Sequence, residues 1–356
     1  MKQNTESILL QDHLIGPAFL VVDGVITQVN TAATQLGITP GTAVGHLIAV
    51  GAEAYQKYRS GKLYLQLNIA GIPTGAYVTK ADTGHLFCLN SAYQSSELRV
   101  LALAAQQLRT PLSTALLNTD QLQNSIALTE DIQAKAQLSQ LNRSLYQLLR
   151  AVGNMADASG AHLQTQPQEL RNATAVFDEL MEKAAGSLAL AKRKLVFNGL
   201  KKPVECYLNT ELLERAVLNL ISNATKFSHN DSVIQTSLRL QNDQLVFTIE
   251  NSSITGTSPL TQNAFQHFLR EPGVIGHQYG IGLGMSIVLG AASAHGGTVL
   301  FSSSKKSSAK VVFTISTKRR APLVLESPMR LVGGYTGGFD PLLIELSDVL
   351  PGAAYE

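Results

Sequence analysis

Apolar and polar positions alternate in distinct rhythms along this chain, and the rhythm changes near position 95 and again near 164. At the N-terminal end, two short apolar runs, Phe19–Val22 and Val25–Val29, flank Asp23-Gly24. An Asp-Gly pair between such runs predicts a β-hairpin. The stretch NTAATQLG predicts a short helix starting at Asn30 or Thr31 and stopping at Gly37. Two further alternating segments, YLQLNIAG and HLFCLNSAY, complete a small α/β module over residues 1–92.

From 95 the period becomes helical. Positions 98, 101, 105, 108, 112, 115, 119, 122 and 126 step by three and four, and only Thr119 among them is polar. Positions 134, 138, 141, 145, 148, 152 and 155 repeat that alternation with apolar residues throughout. These stripes predict two helices with heptad-like seams, a hairpin over 93–163. Thr129 is the expected N-cap of the second helix, and Pro111 is expected to bend the first. A two-helix hairpin buries one seam only, so pairing of two copies into a four-helix bundle is expected.

Residues 164–320 return to a mixed pattern. LNTELLERAVLNLISNATKFS and GMSIVLGAASAHGG read as helices, the second ended by Gly296-Gly297. DSVIQTSLRLQNDQLVFTIENS reads as two strands around Gln241-Asn242-Asp243, and TVLFSSSKKSSAKVVFTIST as a strand hairpin. Helices alternating with mostly antiparallel strands predict an α/β sandwich with helices on one sheet face. The expected class is therefore α+β, in several domains. A last segment, 321–356, holds Arg330 against Glu326, Asp340, Glu345, Asp348 and Glu356, a net charge of −4, and FDPLLIELSDVLP predicts a short helix near Asp340-Pro341. Intramolecular docking and a partner site are both open for it.

Composition narrows the picture modestly. A chain of 356 residues, 45% hydrophobic and 15% charged, suits several globular cores. A net charge of +2 argues against a nucleic-acid partner. Cys88 and Cys206 follow no metal-ligand spacing, and no apolar run is long enough for a transmembrane segment, so a cytoplasmic protein is expected.

Two stretches carry candidate chemistry. In NLISNATKF, Asn219 and Asn223 are four apart and share a helix face. The Asn223 amide oxygen suits Mg2+, a hard cation, and Lys226 suits phosphate. In GIGLGMSIV, Gly280, Gly282 and Gly284 open a helix, where backbone N–H groups approach phosphate closely. That loop does not follow a strand, which excludes a dinucleotide-binding fingerprint.

Together these motifs resemble the ATP-binding domain of sensor histidine kinases of two-component systems, a Bergerat-type fold. Phe227 completes the first motif, and FQHFLRE resembles the family's lid segment, with Arg270 placed to reach phosphate. The hairpin resembles the family's dimerisation and phosphotransfer helices, with AAQQLRTPLS at the phosphoacceptor position, and residues 1–92 resemble a PAS sensory domain. The resemblance implies ATP and Mg2+ as cofactors, with residues 164–320 as the nucleotide domain. It also implies a homodimer, or a mixed dimer with an intact kinase, and a response regulator as partner.

Three departures bear on activity. Gln106 stands where the family carries the acceptor histidine, and Gln107 where it carries the acid. A glutamine amide has no nucleophilic nitrogen, so transfer to this position is excluded. Asn251 in TIENSSITG stands for the adenine-binding aspartate; loss of its charge is expected to weaken ATP binding by about tenfold. Thr110, four residues after Gln106, matches the position that in the family orients water for dephosphorylating the regulator.

The expected function is a phosphorelay protein unable to autophosphorylate, acting as a regulatory pseudokinase or a response-regulator phosphatase. Two alternatives stay open. One is an active kinase with another acceptor, His162 for instance, or one that phosphorylates a partner in a mixed dimer. The other is a scaffold that needs no nucleotide. His85 is expected to be an ordinary surface residue.

Overall fold

Local turn chemistry sets the first elements. β1 (Ala18–Val22) and β2 (Val25–Val29) pair antiparallel around Asp23 and Gly24, which take φ of 49° and 79°. Two left-handed residues in succession match the twist of the flanking strands. In α1 (Thr31–Gln35) the Asn30 side chain accepts from Ala33 N at 2.9 Å, and Gly37 follows with φ 81°. Then come β3 (Ile48–Val50), α2 (Ala52–Lys57), β4 (Lys62–Ile69), β5 (Ile72–Lys80) and β6 (His85–Leu89). Phe19 and Phe87 stack at 4.9 Å in the centre of this module's core.

The computed structural model describes residues 16–89, 95–127, 131–157, 167–229, 231–252, 284–304, 308–318 and 338–355. Beyond the first module, α3 (Ser95–Ala127) and α4 (Ile132–Asp157) form the expected helical pair. Pro111 lies inside α3. The cap of α4 is Asp131, whose carboxylate accepts from Ala134 N at 2.9 Å. Thr129, the residue expected there, lies outside the described residues.

The predicted seam splits into two faces. Leu138 and Val152 are buried, together with Leu116, Tyr146 and Leu149. Leu108, Leu122, Leu141 and Leu148 stay about half exposed, at 50%, 53%, 47% and 52%. Leu141 and Leu148 are one heptad apart, and so belong to one stripe.

The C-terminal part contains β7 (Glu169–Asn172), α5 (Ala173–Leu190), β8 (Lys194–Asn198), β9 (Glu205–Leu208) and α6 (Thr210–Lys226). It continues with β10 (Val233–Gln241), β11 (Gln244–Ser252), α7 (Gly284–Ala294), β12 (Val299–Ser304) and β13 (Ser308–Ser316). Asn242 and Asp243 turn the β10–β11 hairpin with φ of 48° and 58°. Along β11, Leu245, Phe247, Ile249 and Asn251 are buried while the intervening residues are half-buried, so one sheet face is covered by helices. On α6, Leu212, Leu213, Ala216, Val217, Leu220 and Ile221 are all buried. Burying each large one stabilises by roughly 1.5–3 kcal/mol. The pairing is antiparallel except between β8 and β10, which run parallel.

Two further relationships shape the fold, the first unexpected and the second one of the two alternatives open for the C-terminal segment. First, β12 pairs antiparallel with β4, Val299 opposite Tyr64 and Leu300 opposite Leu63, so the two sheets run on as one of eleven strands. Tyr64 Oη lies 3.1 Å from Ser293 Oγ, inside the joined core. Second, the acidic C-terminal segment folds back. Its helix α8 (Pro341–Glu345), capped by Asp340, packs on α4 and α6. Leu342, Ile344, Leu346, Leu350 and Tyr355 belong to the same hydrophobic cluster as α6.

Candidate functional site

The face of α6 that carries the predicted motif also carries Arg215, four residues before Asn219. A helix repeats every 3.6 residues, so Arg215, Asn219, Ser222 and Lys226 lie along one side. The helix start is fixed by the Asn209 side chain, which accepts from Leu212 N at 2.8 Å. Asn209 N in turn donates to His295 Nε2 at 3.0 Å, while His295 Nδ1 bonds Ala291 O at 2.7 Å. His295, the residue that follows α7, thus holds the cap of α6.

Asn219 is fully buried, and its amide is used from both ends. Nδ2 donates to Arg215 O at 2.9 Å and to Glu345 Oε2 at 2.8 Å, and Oδ1 accepts from Arg150 Nη2 at 3.0 Å. Gly284, at the start of α7, lies against the same amide; a Cβ there would collide with Asn219 Oδ1. Arg150 comes from α4 and also reaches Glu345 Oε2 through Nε at 3.3 Å and Asp348 Oδ2 through Nη1 at 2.9 Å. Arg215 pairs with Glu345 Oε1 at 3.3 Å and with Asp157 of α4. Lys226 Nζ bonds Asp348 Oδ2 at 3.0 Å. Burial raises the Asp348 carboxyl, but Arg150, Lys226 and Arg143 outweigh it and hold it below its ordinary value.

The remaining predicted residues divide cleanly. Asn223 is half-buried on the next stagger of α6, and Phe227 caps the helix end, its N–H bonding Asn223 O at 3.1 Å. Asn251 sits at the end of β11 on the helix-covered face, and its Nδ2 is buried with no hydrogen-bond partner among the described residues. Gln107 and Thr110 are exposed on α3, and Thr110 O accepts from Thr114 Oγ1 at 3.1 Å. Gln106 lies in α3; its side chain is outside the described residues, as are Arg270, Gly280, Gly282 and His162 in full. His85 departs from expectation: it is half-buried, with Nδ1 3.0 Å from Tyr55 Oη, and desolvation followed by the charges of Lys80 and Arg59 lowers its pKa.

Sequence reasoning singled out Asn219 and Lys226 but not the charged groups that meet them. Arg150, Arg215 and Glu345 each carried a signal: a charge set within an apolar run, in QLLRAVG, LLERAVL and LLIELSD. Among the described residues no cluster of His, Cys, Asp and Glu suits a metal ion, and no helix is long and apolar enough to cross a membrane. A cleft of about 210 Å³ in the N-terminal module, lined by Leu36, Ile38, Thr42, Leu47 and Ile69, is below the usual size of a small-molecule site.

Residues 209–319 match the histidine kinase-, DNA gyrase B-, and HSP90-like ATPase family. An uncharacterized sensor-like histidine kinase of Rhizobium meliloti (strain 1021) is 25% identical over 305 residues, which cover 81% of this chain and 54% of the relative. Sensor protein QseC of Escherichia coli (strain K12) is 26% identical over 250 residues, 67% of this chain and 52% of that protein. The chain thus spans about half the length of these two relatives. Among solved structures, full-length ShkA in complex with AMPPNP is similar with a TM-score of 0.46 and 20% identity, over 63% of this chain and 47% of that one.

Proposed function

For a chain that is a homologue of sensor histidine kinases and carries at 209–319 an ATPase domain of the histidine kinase, gyrase B and HSP90 type, we propose a nucleotide-binding regulator of two-component signalling that does not phosphorylate itself. The observation that supports this is the cluster on α6: Asn219, Lys226 and Arg215, with Arg150 of α4, converge on anionic oxygens. Guanidinium and ammonium groups beside an amide are the donor set a nucleotide's phosphates require. The Asn223 amide oxygen suits Mg2+, which takes few protein ligands and completes its shell with phosphate and water. Bound there, the metal would neutralise phosphate charge. Asn251 Nδ2, buried and without a hydrogen-bond partner among the described residues, suits a polar ring edge such as that of adenine.

Phosphoryl transfer to α3 lacks its nucleophile, because Gln106 and Gln107 carry amides. The output of this protein is regulatory. It pairs as a homodimer, or with an intact kinase, through the exposed stripe of α3 and α4. It also engages a response regulator at α3, where exposed Thr110 orients water toward that regulator's phospho-aspartate. Residues 1–92 act as a PAS-like sensory domain upstream of the hairpin. Incubation of the full chain with labelled ATP tests the first claim: no acid-labile phosphate is expected, and label recovered in residues 95–127 would refute it. Dephosphorylation of a phosphorylated response regulator tests the second, with Thr110→Ala inactive and Thr110→Ser active.

The saturation of Asn219 by groups of the chain itself favours one other reading, a scaffold that needs no nucleotide. A thermal shift separates the two: a ligand at 100 times its Kd stabilises by ~2.7 kcal/mol, and a scaffold shows no shift with millimolar Mg-ATP.

A further inference from the structure

The acidic segment 338–355 ends on the same groups that the nucleotide reading assigns to phosphate. Glu345 and Asp348 are three positions apart, and both carboxylates turn toward α6. Glu345, with no exposed surface, takes Arg150, Arg215 and Asn219. Asp348 takes Arg150 and Lys226. The rest of the segment is fitted to its seat. Arg143 and Gln147 of α4 donate to Ser347 O at 3.3 and 3.1 Å, and Gln123 Nε2 donates to Tyr355 O at 3.2 Å. The Tyr355 ring lies 5.0 Å from that of Tyr146.

We infer that this segment is an internal ligand of the nucleotide site, its paired carboxylates standing where the phosphate oxygens of a nucleotide would bind, so that the docked tail and a bound nucleotide exclude one another. The inference rests on the nucleotide-binding function proposed above and names how that site is regulated. Exclusion follows from two physical limits. Asn219 already has both amide ends in hydrogen bonds, two of them to Arg150 and Glu345. A triphosphate beside two buried carboxylates would also place like charges together in a poorly solvated site, which is strongly unfavourable. The three cations can neutralise the tail or the nucleotide, but not both. Because α8 packs on α4 as well as α6, the docked tail also clamps the helical hairpin to the nucleotide domain.

The test uses the full chain and its double variant E345Q/D348N, which keeps side-chain shape and removes both charges. Binding of magnesium with a non-hydrolysable ATP analogue is measured by calorimetry, and amide hydrogen exchange is followed over 341–350. The double variant should bind at least about tenfold tighter, because fewer molecules are held in the tail-docked state. Saturating nucleotide should raise exchange over 341–350 in whichever protein it fills. Nucleotide bound equally by both proteins, or bound without change in exchange at 341–350, overturns the inference and leaves the nucleotide function standing. No binding to either protein, with 341–350 still protected, sinks the nucleotide function and the inference together. If E345Q/D348N does not fold, D348N alone, whose side chain is 32% exposed, takes its place.

Discussion

The Asn219 amide and the Glu345 carboxylate meet over 2.8 Å although 126 residues separate them in the chain, and both side chains are fully buried. A motif residue of the nucleotide domain is thereby tied to the C-terminal segment. Removal of the carboxylate leaves Arg150 and Arg215 buried without their shared partner. Breaking one side of a buried ion pair costs about 3–5 kcal/mol. Glu345→Ala is therefore expected to lower the unfolding free energy by about that amount in urea denaturation, and Glu345→Gln by clearly less. Equal stability of Glu345→Ala and wild type would show that the segment does not hold its seat in solution.

Asp348 provides a pH signature. Burial raises its carboxyl, but Arg150, Lys226 and Arg143 outweigh burial and hold it below its ordinary value. A depressed folded-state pKa gives stability that is complete above the unfolded value and is lost as pH falls through the folded one. Wild type should thus lose stability from about pH 5 downward more steeply than Asp348→Asn. Parallel pH profiles of the two proteins would remove Asp348 from the linkage.

The half-exposed leucines of the hairpin bear on assembly. Leu141 and Leu148 lie one heptad apart, and a second helical pair is expected to cover them. Sedimentation of the wild type should give a dimer, and Leu141→Glu with Leu148→Glu a folded monomer. A wild type that sediments as a monomer at micromolar concentration would exclude this face as the contact.

Gly61 stands where β4 begins beside β12, with φ 94°, and a Cβ there would collide with the Phe301 carbonyl. Gly61→Ala combines a disfavoured backbone region with a clash against main chain that cannot step aside. A loss of about 1–3 kcal/mol is expected, read as a lower thermal midpoint with faster exchange in β12.

How much of this was legible depended on whether the cause was local. Asp23-Gly24 and Asn242-Asp243 announce their turns because left-handed φ selects such residues, and both hairpins formed there. The face of α6 was readable from its period. β5 was missed because IPTGAYVTK carries a proline and a glycine within a strand that pairs on both sides. The site was half visible. Asn219 and Lys226 stood out by their spacing, while Arg150 and Arg215 did not, and Glu345 and Asp348 counted only toward the acidic charge of the tail. Their partners lie tens to hundreds of residues away, and no short window of sequence holds both halves of such a pair.

The β4–β12 ladder has one more consequence. A strand at a sheet border offers a row of unpaired N–H and C=O groups, a template for uncontrolled association. Here two such borders close each other through Leu63–Leu300 and its neighbours. Cutting the chain between the modules would bare both at once, so each half expressed alone should precipitate more readily than the intact protein, and mixing the halves should restore solubility.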